Sequence, residues 1–275
     1  MSDKYTVFGN PIAHSKSPWI HRAFAEQTGQ AMDYDRQLVD EAGFNEAADI
    51  FFQAGGKGLN ITMPFKLDAY NYVSRTTPRA RRAGAVNTLA MQADGTILGD
   101  TTDGVGLVND IKNNLGWEIR AKRVLILGAG GAVRGILEPI LEEQPQHVVI
   151  ANRSVEKALQ LSKAFAEMGY ILGCGLDILD GQEFDLIING TSASLKGGMP
   201  PLPDSLLGSP ATAANCYDLM YGAEPTPFMK WARRGGGQTA DGLGMLVEQA
   251  AESFMLWRGV RPQTSAVIQQ LRAQL

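Results

Sequence analysis

The sequence predicts an α/β protein in two domains, and three observations point there. Apolar runs rich in β-branched residues alternate with helix-length segments, the pattern of a largely parallel sheet covered by helices. One run, Val124-Leu-Ile-Leu-Gly-Ala-Gly-Gly131, goes straight from a continuous apolar strand into a glycine turn and a helix, as a strand buried on both faces does. The length, 275 residues, exceeds one ordinary domain. Strands are expected at Tyr5–Gly9, Gly58–Met63, Thr96–Gly99, Arg123–Gly128, His147–Ala151 and Phe184–Asn189.

The helix ends are legible too. Ser17-Pro18 precedes Trp19, Ile20, Ala23 and Phe24 at helical spacing, and Gly29 stops the run; Ser fits the N-cap, Pro the first turn and Gly the stop. Met63-Pro64 opens a second helix. Asp103 precedes Gly104–Leu115, closed by Gly116, and is a candidate cap. From Gly242 to Leu275 a helical pattern (Leu243, Leu246, Val247, Ala250, Phe254, Trp257) is long enough to pack back on the N-terminal half. The loop Lys196–Pro203 is irregular by composition. A boundary near Asp103–Asn109 gives one domain of residues 1–103 and 242–275 and a second of residues 104–241, with a ligand cleft expected between them.

Composition narrows the function. Hydrophobic residues at 44% and charged residues at 20% fit a globular chain and exclude a disordered or fibrous one. A formal charge of −4 with no basic run argues against nucleic acid or an anionic membrane as partner. Cys174 and Cys216 cannot make a disulfide framework, and with only His14, His21 and His147 no cluster has metal-ligand spacing. The polar N-terminus, broken early by Gly-Asn-Pro, does not read as a signal peptide, and no apolar run approaches a membrane span. A reducing compartment, the cytoplasm, is the expected location.

The glycine turn Gly128-Ala-Gly-Gly-Ala-Val-Arg134 follows a strand and opens a helix, the context a dinucleotide fingerprint requires. Bare backbone at Gly128 and Gly130 allows a tight turn and close approach of a pyrophosphate, and the helix start offers N–H groups and partial positive charge. Val133 replaces the third glycine of the pattern, so a plain strand–helix turn also fits. An NAD site places Asp or Glu at the end of the next strand. Here His147-Val-Val-Ile-Ala-Asn-Arg-Ser154 carries no acid and ends on Arg153, whose guanidinium suits a 2′-phosphate, with Lys157 one turn on. The expected cofactor is NADP.

In Asn60-Ile-Thr-Met-Pro-Phe-Lys66, Asn60 and Thr62 share one strand face, and Lys66 falls in the first turn of a helix. A cation there is unfavourable next to the helix dipole, which suits proton transfer; an ordinary exposed lysine is the alternative. Asp103 serves either as a cap or as a functional carboxylate. Ser15 and Ser17 either cap a helix or form a neutral cradle for a carboxylate.

Taken together, Phe8–Pro18, Asn60–Lys66, Gly84-Ala-Val-Asn-Thr88, Gly99–Gly104, Gly128–Arg134, Asn152-Arg-Ser154, Asn189-Gly-Thr-Ser192, Tyr217–Tyr221 and Asp241–Leu246 resemble the shikimate dehydrogenase family, from about Tyr5 to Leu271. The resemblance implies an N-terminal α/β substrate domain and a Rossmann-like NADP-binding domain, with C-terminal helices returning to the first. It implies reversible reduction of 3-dehydroshikimate to shikimate by NADPH, on the route to chorismate and the aromatic amino acids, by a monomer or homodimer. Ser15 and Ser17 then hold the substrate carboxylate, and Asn60, Thr62, Asn87, Tyr221 and Gln249 line the ring and its hydroxyls. Lys66 is the catalytic residue, with Asp103 beside it as orienter and substrate contact. The cofactor residues implied are Gly128, Ala129, Gly130, Gly131, Ala132, Asn152, Arg153, Ser154, Lys157, Thr191, Leu219 and Gly242. Thr101, Met63 and Ser194 depart from the family's usual residues. Two other functions stay open: a quinate/shikimate paralogue using NAD or NADP, against which both serines argue, and a non-catalytic metabolite sensor, against which Lys66 and Asp103 argue.

Overall fold

A computed structural model describes residues 2–193, 197–208 and 213–275; Ser194 and Lys196 lie outside the described residues. The chain runs β1 (Asp3–Gly9), α1 (Ser17–Thr28), β2 (Met32–Leu38), α2 (Phe44–Gln53), β3 (Gly56–Ile61), α3 (Lys66–Tyr72), β4 (Arg75–Thr76), α4 (Pro78–Ala83), β5 (Thr88–Met91), β6 (Ile97–Asp100) and α5 (Asp103–Asn109). It continues with β7 (Arg123–Leu127), α6 (Gly131–Glu142), β8 (His147–Ala151), α7 (Val155–Ala164), β9 (Ile171–Cys174), β10 (Leu186–Asn189), β11 (Asn215–Asp218), α8 (Pro227–Arg233), β12 (Thr239–Asp241), α9 (Leu243–Arg258) and α10 (Ser265–Arg272). Two units result: Met1–Gly106 with Val247–Gln270, and Leu107–Leu246 with Leu271–Leu275. The limits fall inside α5 and α9, and the last five residues group with the second unit.

The first unit holds a sheet in the order β2-β1-β3-β5-β6-β4. It is mostly parallel, as expected, with one exception: β5 runs antiparallel to both β3 and β6. The connection from β5 to β6 is a tight turn closed by Gln92 N–H to the Thr96 carbonyl (2.8 Å), with the Asp94 carboxylate accepting the Thr96 N–H (3.0 Å). Such a turn is far too short for a parallel crossover. Phe8, Phe44, Leu59, Phe65 and Leu89 fill the core on one face. β2 escaped the sequence reading because it is a polar edge strand, MDYDRQL, in which only Met32 and Tyr34 are even partly covered.

The second unit's sheet, in the order β12-β11-β10-β7-β8-β9, is parallel throughout. Val124, Leu125, Ile126 and Leu127 have no exposure. Val124 and Ile126 pack towards Ile136 and Ile140 of α6, whereas Leu125 and Leu127 pack towards Phe228 and Trp231 of α8. At ~1.5–3 kcal/mol for each fully buried aliphatic side chain, this short strand anchors both layers. Strand order reverses between β7 and β10, which is where open parallel sheets bind ligands.

Among the described residues, no helix is long and apolar enough to cross a membrane, and no group of three or more His, Cys, Asp or Glu could hold a metal ion.

Candidate active site

In the first unit, pairing brings the carboxyl ends of β1, β3 and β6 to one edge. Phe8 is opposite Ile61, Asn60 opposite Thr88, and Thr88 opposite Asp100. Past the strands, Thr62 N–H donates to the Phe8 carbonyl (2.9 Å) and Asn10 N–H to the Met63 carbonyl (3.0 Å), which ties the Thr62 turn to the loop leading to Ser15. The helix after Met63-Pro64 starts two residues later than its proline suggested, with Lys66 as its first residue. Ser17 is likewise the first residue of α1 and not its N-cap; Lys16 takes that position without capping, and the Ser15 hydroxyl accepts the Ser17 N–H (3.3 Å).

Lys66 Nζ forms an ion pair with Asp103 Oδ2. The carboxylate offsets the unfavourable helix start. Asp103 opens α5, yet its carboxylate points to Lys66 and, through Oδ1, to Asn87 Nδ2 (2.9 Å). Asn87 is itself pinned: its Oδ1 accepts the backbone N–H of Thr102 (2.9 Å), a group that can only donate. The amide nitrogen therefore has to face Asp103. Gln249 of α9 lies on the same amide, with Oε1 at 3.4 Å from Asn87 Nδ2. Ser15, Thr62 and Lys66 are partly exposed, whereas Ser17, Asn60 and Asn87 are buried.

Asn60 has spent its amide inside the protein. Tyr34 Oη donates to its Oδ1 (2.7 Å), and its Nδ2 donates to Ser253 Oγ (3.0 Å) and Thr88 Oγ1 (3.1 Å). Burial holds the Tyr34 phenol well above its ordinary pKa, a hydrogen bond with Ser17 opposing the shift.

In the second unit, the expected cofactor residues gather at the carboxyl edge of β7, β8, β10 and β11. Gly128 adopts φ +104°, a conformation costly for any side chain, and its N–H donates to the Ala151 carbonyl (2.8 Å). Gly190 explains how Val133 replaces the third glycine. A Cβ on Gly190 would sit 2.4 Å from Val133 Cγ2, so the room is made on the facing strand end. A Cβ on Gly130 or Gly131 would meet nothing within 4 Å, so the first turn of α6, free of acidic residues and side-chain caps, is open to a diphosphate. Arg153 follows β8, is exposed, and its side chain is unpaired among the described residues, as is that of Lys157. Asn152 Nδ2 donates to the Ser154 carbonyl (2.9 Å), and Ser154 is the N-cap residue of α7. The Asn189 carboxamide oxygen accepts both Thr191 N–H (3.1 Å) and Thr191 Oγ1–H (2.8 Å), while Leu219 N–H donates to the Asn189 carbonyl (2.9 Å). Gly242 N–H donates to the Met220 carbonyl (3.1 Å). Tyr221 lies in this unit; burial, then the Asp241 charge, pushes its phenol up.

Comparison with known proteins gives one answer. Residues 7–89 match the shikimate dehydrogenase substrate binding domain, residues 110–196 the shikimate/quinate 5-dehydrogenase family, and residues 242–272 the shikimate 5′-dehydrogenase C-terminal domain. A Cellvibrio japonicus relative named shikimate dehydrogenase (NADP(+)) is 59% identical over 276 residues, covering 100% of this chain and 99% of its own. This chain belongs to the shikimate dehydrogenase family. Among solved structures, shikimate 5-dehydrogenase from Thermus thermophilus, in complex with NADP(H) and shikimate, superposes with TM-score 0.86 at 30% identity, over 99% of this chain and 100% of its own. An Ael1 enzyme from Pseudomonas putida reaches TM-score 0.94 at 48% identity, over 98% of both chains.

Sequence reasoning about this shikimate dehydrogenase relative missed Thr88, Thr102, Ser253 and Gly190. Ser253 carried a signal: with Gln249 it is a polar residue four positions away on a helix whose buried positions are otherwise apolar apart from Glu248.

Proposed function

We infer that this chain reversibly reduces 3-dehydroshikimate to shikimate with NADPH. The observation that carries the reading is the Lys66–Asp103 ion pair, held from one side by the Asn87 amide within a chain whose full-length relatives are named NADP-dependent shikimate dehydrogenases. Gly128–Ala132, Asn152, Arg153, Ser154, Lys157, Thr191, Leu219 and Gly242 hold NADP, which supplies or takes up the hydride when bound. Negative charge develops on the substrate oxygen as its carbon is reduced. The Lys66 ammonium stabilises that charge and gives the proton, and Asp103 aims the ammonium while accepting a substrate hydroxyl. Ser15 and Ser17 hold the carboxylate; Thr62, Asn87, Tyr221 and Gln249 receive the ring hydroxyls. Two buried, free thiols fit a cytoplasmic enzyme, working as a monomer or homodimer.

The test is loss of NADPH absorbance on adding 3-dehydroshikimate, with quinate and NADH as comparison reagents. Turnover with dehydroshikimate and NADPH is expected. Activity confined to quinate or to NADH would overturn the reading.

A further inference from the structure

We propose that Thr88 and Ser253 are positioning residues for the Lys66–Asp103 pair: their buried hydroxyls complete a one-way chain of hydrogen bonds that fixes the Asn87 amide against Asp103. The proposal rests on the assignment of proton transfer to that pair.

Counting protons sets the direction. Asn87 Oδ1 has none to give, so Thr88 Oγ1, 2.9 Å away, must donate to it. Thr88 Oγ1 and Ser253 Oγ are 2.8 Å apart, a distance at which one of them donates. The Thr88 proton is already committed, so Ser253 is the donor across this contact, its hydroxyl proton shared with the Gln249 carbonyl 3.1 Å away. Ser253 in turn accepts from Asn60 Nδ2 (3.0 Å), and Asn60 Oδ1 accepts from the Tyr34 phenol (2.7 Å). Every donor from Tyr34 through Asn60, Ser253 and Thr88 to Asn87 points the same way, and the last N–H ends on Asp103 Oδ1 (2.9 Å).

Such a chain polarises each successive bond. It also forbids the flipped Asn87 amide, which would set its oxygen against the Asp103 carboxylate. Thr88 and Ser253 have no exposure, so neither can touch substrate, and both reach the catalytic pair through Asn87. The link is long-range in sequence: Ser253 lies on α9, joined to a site built from the N-terminal half of the chain.

The experiment combines Thr88→Val, Thr88→Ser and Ser253→Ala with Asp103→Ala. Thr88→Val and Ser253→Ala should each lower kcat roughly five- to tenfold, the scale of one hydrogen bond, with KM for shikimate and for NADP nearly unchanged. Thr88→Ser, which keeps the hydroxyl, should restore kcat. In the Asp103→Ala background, Thr88→Val should cost almost nothing further, because the group it acts through is gone. Equal losses in both backgrounds, a rise in KM without a fall in kcat, or failure of Thr88→Ser to rescue would overturn the proposal. If Thr88→Val does not fold, Ser253→Ala is read by the same criteria. A mild Asp103→Ala enzyme would bring down the proton-transfer assignment and this proposal with it; a severe one beside a fully active Thr88→Val brings down the proposal alone.

Discussion

The two sheets put their polar groups in opposite places. Around β3, β5 and β6, Asn60, Asn87, Thr88 and Thr102 are buried side chains that satisfy one another, and buried Asp100 beside them is held by Thr77 and by Arg79, with Nε at 2.7 Å. Around β7 the strand is apolar on both faces, and the nearest buried polar side chains, Asn189 and Asp218 at the ends of β10 and β11, bind their own loops beside the open N–H groups of the glycine turn. Chemistry on a substrate needs side chains held to fractions of an ångström, and buried networks give that rigidity. Holding a diphosphate needs bare backbone and one well-placed cation. Substitutions in the first region should therefore strike turnover, and those in the second should strike cofactor choice.

The sharpest break of that contrast is Lys66→Ala. It should lower kcat by roughly 10²–10⁴, the range of a positioned acid–base group, while folding and NADPH binding persist. Substrate affinity should change far less, since the interaction strengthens mainly in the transition state. Stopped-flow turnover with a parallel NADPH titration checks it, and kcat within a few-fold of wild type would remove Lys66 from the role. Next in size is Arg153→Asp in the second region. Losing one charge-assisted contact costs about 1.5–3 kcal/mol, so NADPH should weaken tenfold or more against NADH, with kcat on saturating cofactor little altered. An unchanged ratio of the two cofactors' KM values would exclude Arg153.

Legibility followed the same divide. The β7 strand, the glycine turn and Arg153 are contiguous signals, and a window of a few residues contains each one whole. In the first region the sequence marked Lys66 and Asp103 as chemically unusual but could not show that they meet, because their contact spans 37 positions. β2, β4, β5, β9, β11 and β12 were unread: β2 is a polar edge strand, and the others are two to four residues long, β9 interrupted by Gly173. Thr88 and Ser253 look like ordinary strand and helix residues until the fold sets their hydroxyls 2.8 Å apart. Local patterns reveal elements; they do not reveal which polar side chains an interior pairs.

A third prediction probes the interior beneath the substrate region. His21 is fully buried and stacked on Tyr34 at 4.1 Å, with Phe24, Phe254 and Trp257 around it. Among the described residues neither ring nitrogen has a hydrogen-bond partner. Burial lowers its pKa from 6.5 to about 3; the Asn60 side chain opposes the shift without reaching hydrogen-bond geometry. Between those values the unfolded chain binds the proton and the folded one does not, so stability is full above pH 6.5 and falls as the pH drops towards 3. By linkage, about 2 kcal/mol should be lost between neutral pH and pH ~5. His21→Phe keeps the ring stack and should lose that much less over the same interval. Urea unfolding at the two pH values measures it, and equal slopes for the two proteins would show that His21 does not carry the acid sensitivity.

The smallest expected effect is at the serine pair proposed to hold the substrate carboxylate. Ser15 is partly exposed, and its hydroxyl accepts only a long bond from the Ser17 N–H, so Ser15→Ala should leave folding almost untouched. A hydrogen bond to a charged group in a half-solvated place is worth about 1 kcal/mol, which predicts a rise of several-fold in KM for shikimate. The cofactor KM should stay where it is, since the residues proposed to hold the cofactor all belong to the second unit. Ser17→Ala is the informative comparison. Ser17 is buried beside Tyr34, whose phenol heads the hydroxyl and amide chain that ends on Asp103, so its loss should lower kcat as well as raise KM. If Ser15→Ala moved the cofactor KM instead, the serine pair would belong to a different site; if Ser17→Ala changed KM alone, the carboxylate cradle and the catalytic pair would be independent parts of the same sheet edge.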